Sequence, residues 1–299
     1  MKRLYITGIC GLLGNSIVKE LFKKYDIYGV DLVNLEQEGC KIECFDLTNY
    51  ERLRKSILLF KPDVLIHTAA AINVDKCEED KEYAYKLNVE LTKVLVDICK
   101  EENIKLIYIS TDAVYDGYKE SLYTEEDAVN PINYYGETKL NGEVAVKELK
   151  NSLILRTNIY GKNIQKKASF GEWIVHSLKE NKELNMFTDI KFSPILVNEL
   201  ANIIDKCIEN NICGLYIACG TGSISKYEFG ILMKDIFQIQ TGKINKTISD
   251  KANFKAKRSK NMGMSNRKIC NKLGITISTP EESIWRFKEI YVGGIQNGN

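Results

Sequence analysis

Proline and histidine are scarce in this 299-residue chain, four and two respectively, and the cysteines form no C-x-x-C pair beside a His-rich stretch. Zinc normally takes four clustered Cys or His ligands, so with His67 and His176 as the only imidazoles no metal site is expected. The nine cysteines, an odd number scattered from Cys10 to Cys270, read as reduced core thiols. Charge of one sign is lacking too. With 42 Lys and Arg against 40 Asp and Glu, the net charge is +2, and no long-range field is available to hold nucleic acid or an anionic membrane. There is no run of about 18 apolar residues, and Met1-Lys2-Arg3-Leu4-Tyr5-Ile6-Thr7-Gly8 reaches glycine before any apolar stretch long enough for a signal peptide. Cytoplasmic location is the expectation.

What is present is an ordinary globular composition, 44% hydrophobic and 27% charged, enough to bury the core of one large domain or two coupled ones. In the first half, short β-branched runs alternate with helical patterns. Arg3–Gly8, Asp26–Asp31, Lys41–Asp46, Val64–Ala69 and Leu106–Thr111 read as strands; Leu12–Lys24, Tyr50–Phe60, Asp80–Glu102 and Asn133–Leu149 read as helices. Such alternation implies parallel strands joined by right-handed helical crossovers, hence an α/β doubly wound parallel sheet of Rossmann type. Beyond Arg156 the alternation loosens into helices at Phe170–Lys179, Val197–Glu209, Lys226–Phe237, Asn266–Leu273 and Pro280–Ile290, with a strand at Leu215–Cys219. We expect a dinucleotide-binding domain over residues 1–157 and a smaller substrate-binding lobe over 158–299, partly interleaved with the first sheet, with a frayed tail at 293–299.

Thr7-Gly8-Ile9-Cys10-Gly11-Leu12-Leu13-Gly14 falls where the first strand turns into the first helix, the place where a pyrophosphate meets a helix N-terminus. Gly8 permits a tight turn, Gly11 lets backbone N–H groups approach phosphate oxygens, and Gly14 allows close packing of helix on strand. Leu12 and Leu13 belong to the same cofactor-binding turn. Asp31, 17 residues after Gly14, ends the second strand and can accept hydrogen bonds from the adenosine ribose hydroxyls. Its charge would repel a 2′-phosphate, so within NAD(P)H the sequence favours NADH. Asp46 and Leu47 close the third strand and could meet the adenine, while Ala69, Ala70 and Ala71, after His67-Thr68, leave room for the dinucleotide. Each site alone could be an ordinary strand-end turn; the three together point to a cofactor.

Tyr135-Gly136-Glu137-Thr138-Lys139 puts a phenol and an ammonium one helical turn apart on one face. A tyrosine of ordinary pKa near 10 exchanges protons poorly at neutrality, and a close lysine together with an oxidised nicotinamide would lower it. Tyr115 and Lys119 share the spacing, but Tyr115-Asp116-Gly117-Tyr118-Lys119 reads as a loop. Pro131 and Asn133 before Tyr135 read as a helix start. Thr111, 24 residues before Tyr135, ends the fifth strand, where its hydroxyl could orient a carbonyl becoming an alkoxide; capping of the strand is the alternative for it and for Ser110.

These residues resemble the extended short-chain dehydrogenase/reductases, and within them the dTDP-4-dehydrorhamnose reductases. The matches are His67-Thr68-Ala69-Ala70-Ala71 leading to Val74-Asp75-Lys76-Cys77-Glu78, Ser110-Thr111-Asp112-Ala113-Val114-Tyr115, Tyr135-Gly136-Glu137-Thr138-Lys139-Leu140 with Gly142-Glu143, and Leu155-Arg156-Thr157 with Tyr160-Gly161. The resemblance implies a catalytic set of Thr111, Tyr135 and Lys139, with Lys139 also holding the nicotinamide ribose and Asn88 beside it among the cofactor residues. On the substrate side the candidates are Asp112, Arg156, Asn158 and Arg258. Arg258 lies in Lys251–Lys272, which has eight Lys or Arg and no acid and could receive a diphosphate; a solvated basic face is the alternative. Related sugar dehydratases carry an acid after the Thr-Asp pair, and here Ala113 stands there, a methyl that cannot transfer protons. Two departures fall on the sugar side. An expected Asp-Gln-x-Gly-x-Pro-Thr is Asp189-Ile190-Lys191-Phe192-Ser193-Pro194-Ile195, and an expected Arg-Pro is Arg258-Ser259.

The reaction expected is NAD(P)H-dependent reduction of a 4-keto group on a nucleotide-linked deoxysugar, in polysaccharide biosynthesis of the dTDP-rhamnose kind. A nucleotide-sugar 4-epimerase would use the same residues with tightly held NAD. A non-catalytic regulatory subunit is the third reading, because the resemblance extends to a methionine adenosyltransferase partner on this fold. The expected partner is a small-molecule nucleotide sugar, with neither nucleic acid nor membrane, and a homodimer is compatible with the reading.

Overall fold

A computed structural model describes residues Met1 to Gln296. Seven strands form one sheet: β1 (Arg3–Thr7), β2 (Asp26–Asp31), β3 (Cys40–Cys44), β4 (Val64–His67), β5 (Lys105–Thr111), β6 (Ser152–Thr157) and β7 (Gly214–Ile217). Their order is β7-β6-β5-β4-β1-β2-β3, with every neighbouring pair parallel. The central strands are buried on both faces, as parallel sheets require: all seven residues of β5 and all six of β6 are inside. The chain builds outward from β1 to β3, then returns to β4 on the other side of β1. The switch between β1 and β4 opens a crevice at the carboxyl ends of the strands.

Helices α1 (Leu12–Leu21), α2 (Tyr50–Phe60), α3 (Val74–Glu79), α4 (Leu91–Glu101) and α5 (Tyr134–Lys147) carry the crossovers of the first half. Their starts follow capping chemistry. The Asn49 side chain accepts from the Arg52 N–H at 3.1 Å, and that of Asn133 accepts from the Gly136 N–H at 2.9 Å. The single helix expected over Asp80–Glu102 is divided. Asp80 caps a short turn at Lys81–Tyr85, and a π-turn at Lys86–Glu90 leads into α4. Periodicity could not reveal this extra residue per turn, which often marks a functional site. The third strand is also shorter than expected. It stops at Cys44, and Asp46 is exposed, its carboxylate accepting from the Thr48 N–H at 2.8 Å in the turn before α2.

Helices α6 (Phe170–Lys179), α7 (Val197–Glu209), α8 (Lys226–Ile236), α9 (Arg267–Leu273) and α10 (Pro280–Gln296) belong to the second half. There α7 packs Leu200, Ala201 and Ile204 into the same core as Ile17 and Leu21 of α1. A separate aromatic core of Tyr160, Phe192, Phe229 and Phe287 holds α6, α8 and α10 together. Three short strands, Ile224–Ser225, Lys191–Phe192 and Asn261–Met262, form a small sheet with Lys191–Phe192 in the middle. Of the tail expected to fray, Gly293 to Gln296 continue α10, and residues 297–299 lie outside the described ones.

Candidate active site

The glycine turn is fixed by contacts a side chain would abolish. Gly8 has φ +74°, a left-handed value, and a Cβ there would come within 3.0 Å of the Ala69 nitrogen at the end of β4. A Cβ on Gly14 would lie 2.3 Å from the Gly8 carbonyl oxygen, so helix and strand touch backbone to backbone. Gly11 caps α1 without any side-chain hydrogen bond, and the first intrahelical donor back to its carbonyl is the Asn15 N–H, at 2.9 Å. The N–H groups of Leu12, Leu13 and Gly14 therefore precede the helical ladder and point out of the N-terminus. Beside them Asn15 Oδ1 is buried with no hydrogen-bond partner among the described residues.

Asp31 stands at the rim of this turn. Its Oδ2 accepts from the Cys10 N–H at 3.0 Å and its Oδ1 from the Leu32 N–H at 2.8 Å. Three residues further on, Asn34 begins the lining of a cavity of about 460 Å³, completed by Glu36, Gln37, Glu38, Cys40 and Ile42. Behind the turn, His67 is buried between Thr7 and Thr92, with Nδ1 2.7 Å from one hydroxyl and Nε2 3.2 Å from the other, and burial pushes its imidazole down to about 3.

Asn88, expected among the cofactor residues, is engaged by protein. From the π-turn its Oδ1 accepts from the Ala71 N–H at 2.8 Å, while its Nδ2 donates to the Ala71 carbonyl at 3.1 Å and to Thr138 Oγ1 at 3.0 Å. It ties the end of the β4 segment to helix α5.

Helix α5 presents Tyr135, Lys139 and Glu143 at successive turns of one face. Lys139 is buried, its Nζ donating to the Ile109 carbonyl at 2.8 Å and lying 4.1 Å from the Tyr108 ring centre. Burial pushes it down to about 7 against the opposing pull of Glu143. The protein alone shifts the Tyr135 phenol upward, the lowering expected of it belonging to the state with an oxidised nicotinamide bound. Burial holds it above the ordinary range, and the hydroxyl of Thr111 is the group that draws it back. Thr111 ends β5, where its Oγ1 donates to Asp112 Oδ1 at 2.9 Å and accepts from the Ala113 N–H at 3.2 Å. It caps the turn.

The substrate side departs most from expectation. Arg156 is buried on β6, its Nε donating to Glu143 Oε1 at 2.9 Å, its Nη2 to Oε2 at 2.7 Å and its Nη1 to the Tyr115 hydroxyl at 2.7 Å. With Ser110 Oγ donating to the same Glu143 at 2.6 Å, three of the five guanidinium N–H groups are spent on buried protein partners, the arrangement of a strut inside the fold. Arg258 is paired with Asp75 at 2.9 Å and donates to the Ala256 carbonyl, so it fastens the 251–260 loop to α3. That loop, with Asp116, Tyr118 and Ile132, walls a cavity of about 290 Å³ that Lys255, Lys257 and Lys260 also line. Asp112 and Asn158 bond to each other beside Thr111, and burial raises the Asp112 carboxyl.

Lys226, the first residue of α8, was not singled out by the sequence. Its Nζ lies 3.2 Å from the centre of the Phe192 ring and 4.4 Å from that of Phe170, within the electrostatic reach of Asp112. Phe192 stands where the resemblance led us to expect glycine, and that departure was the available signal that the sugar side is rebuilt.

Comparison with known proteins places this geometry. The RmlD substrate binding domain family matches residues 1–291. A dTDP-4-dehydrorhamnose reductase of Aggregatibacter actinomycetemcomitans is 31% identical, covering 79% of each chain. The methionine adenosyltransferase 2 subunit beta of Rattus norvegicus is also 31% identical, over 96% of this chain and 88% of that one. The crystal structure of a dTDP-4-dehydrorhamnose reductase from Bacillus anthracis in complex with NADP superposes with a TM-score of 0.87, at 30% identity over 96% of this chain and 99% of that one.

Proposed function

We propose, for a chain that belongs to the RmlD substrate binding domain family, a nicotinamide-dependent reductase that converts a 4-keto group on a nucleotide-linked deoxysugar to an alcohol. The observation that carries the reading is the face of α5 on which Tyr135 and Lys139 lie a turn apart, the Lys139 ammonium bonded to β5, the strand that Thr111 ends.

The residues present fit the cofactor. The cradle at Gly8, Gly11 and Gly14 admits no Cβ at two of its positions, and the N–H groups of Leu12, Leu13 and Gly14 would hold the pyrophosphate. Asp31 would take the adenosine ribose, Leu47 and the Ala69–Ala71 segment would flank the dinucleotide, and Lys139 would hold the nicotinamide ribose. When bound, the dihydronicotinamide supplies the hydride that reduces the ketone carbon. A phenol held above its ordinary range stays protonated at neutral pH, which is the form a proton donor needs. After Tyr135 gives its proton to the nascent alkoxide, the Lys139 ammonium one turn away offsets the phenolate charge. Thr111 orients the carbonyl, and its hydroxyl must turn from Asp112 to do so.

NADH is the cofactor favoured here. Asp31 stands at the rim of the turn, and the cavity that begins three residues on, at Asn34, is lined by Glu36 and Glu38 with no Lys or Arg among its lining residues, a poor seat for a 2′-phosphate. Asp31→Ser should improve the kcat/KM ratio of NADPH over NADH by about ten-fold or more; an unchanged ratio removes Asp31 from cofactor choice.

The assay is net oxidation of NADH by the purified chain with a 4-keto nucleotide sugar, followed by identification of the product. One alcohol formed per NADH consumed is expected. Interconversion of two sugars with no net NADH change would make the chain an epimerase, and turnover of neither kind would leave the regulatory reading.

A further inference from the structure

The reduction described above makes no use of Lys226, although its ammonium feels the charge of Asp112, the residue that follows β5. Ser225 and Glu228 fix the start of α8 through a reciprocal pair of bonds, the Glu228 N–H to Ser225 Oγ at 3.1 Å and the Ser225 N–H to Glu228 Oε2 at 2.9 Å. The side chain of the next residue then lies over Phe192 and Phe170. Those rings are themselves fixed: Phe170 stacks on Phe229 at 5.7 Å, and Phe192 meets Phe229 edge-on at 5.3 Å. An aromatic face offsets positive charge but accepts no strong hydrogen bond, so the three N–H groups of this half-buried ammonium, without a hydrogen bond among the described residues, are open to oxygen acceptors. The anion acting on it is Asp112, whose oxygens are engaged by the Thr111 hydroxyl and the Asn158 amide. Lysines that serve the fold look different. Lys24 reaches both Asp205 and Glu209, and Lys119 meets Asp127 at 2.7 Å.

We propose that Lys226 recognises the substrate, its N–H groups donating to acceptor oxygens of the nucleotide sugar, either hydroxyls of the ring or oxygens of the diphosphate, next to the reacting carbonyl. The proposal rests on the reading of this cleft as that of a nucleotide-sugar reductase. Burial in the cleft pushes the Lys226 ammonium down to about 7, and Asp112 opposes that shift. An oxygen-rich ligand supplies the bonds that restore the charged form, which couples binding to this residue rather than to the proton on Tyr135.

The test compares wild type with Lys226→Met, Lys226→Gln and Lys226→Arg, thermal unfolding being used to select the variants that fold. KM and kcat for the 4-keto nucleotide sugar are measured with NADH, and the Kd of dTDP alone and of dTDP-glucose by calorimetry. A rise of about ten- to a hundred-fold in KM for Met and Gln is expected, with kcat kept within about two-fold and most of the affinity returned by Arg. Weakening of dTDP as well as dTDP-glucose assigns the diphosphate; weakening of dTDP-glucose alone assigns the sugar hydroxyls. Unchanged KM and Kd, or a fall in kcat alone, overturns the proposal. Should wild type reduce no 4-keto sugar, the reductase reading fails, and the two Kd values still decide whether Lys226 holds the nucleotide or its sugar.

Discussion

At the glycine turn the groups that face the crevice are backbone N–H groups, placed within eight consecutive residues from Thr7 to Gly14. At the opposite end of the cleft, Asp112, Asn158, Arg156, Lys226 and Arg258 come from separate elements in both halves of the chain, and their partners are side chains. Backbone geometry follows from glycine and from the strand-to-helix turn, both of which are written locally. What a charged side chain does is decided by whichever opposite charge the fold delivers to it. The same guanidinium is a phosphate ligand or a buried strut according to its neighbour, and in Arg156 the neighbour is Glu143.

The sharpest way to break this comparison is to remove that strut. Arg156→Met leaves the buried Glu143 without its counter-charge, and should destabilise the fold by about 3–5 kcal/mol in urea unfolding. The double variant with Glu143→Gln should recover much of the loss. A variant of normal stability with a raised substrate KM would return Arg156 to the substrate side, as first read.

A smaller effect is expected at the turn. The Cβ introduced by Gly14→Ala would meet the Gly8 oxygen and the Ile9 backbone, none of which can swing aside as a side chain would. The expected cost is about 1–3 kcal/mol, together with weaker cofactor binding in a fluorescence titration. Wild-type affinity in this variant would show that the turn does not hold the dinucleotide.

The smallest effect concerns pH. The unfolded His67 imidazole titrates near 6.5 and the buried one near 3, so only the unfolded chain gains this proton between those values. Its contribution to stability is present in full above about 6.5 and declines as pH falls toward 3. Urea midpoints at pH 7 and pH 5 should therefore fall more in wild type than in His67→Gln. Equal slopes would mean that His67 is protonated in the folded chain.

Much of the fold was legible from periodicity. The bounds of β2, α2, α6 and α7 agree with those read from sequence, because each is a regular run closed by ordinary caps or turns. The strand β6 was not read as one, since its apolar run Ser152–Thr157 is short and contains Arg156, a residue that looks exposed until Glu143 is known to face it. The π-turn around Asn88 was hidden because one extra residue per turn leaves the apolar pattern of the segment almost unaltered. In the site, Tyr135 and Lys139 lie on one face of α5 at the spacing read from sequence and Thr111 ends β5, whereas the direction of the Tyr135 shift needed the burial that only the fold supplies. Lys226 could not be found from composition or spacing. Its significance lies in Phe170 and Phe192, which are distant in sequence.

The central claim is that Tyr135 gives the proton in the reduction, and its most direct test is single-turnover NADH oxidation by Tyr135→Phe with a 4-keto nucleotide sugar, beside wild type. Loss of at least about a hundred-fold in rate is expected, with cofactor affinity and melting temperature retained. A Phe variant that oxidises NADH at the wild-type rate would contradict the account.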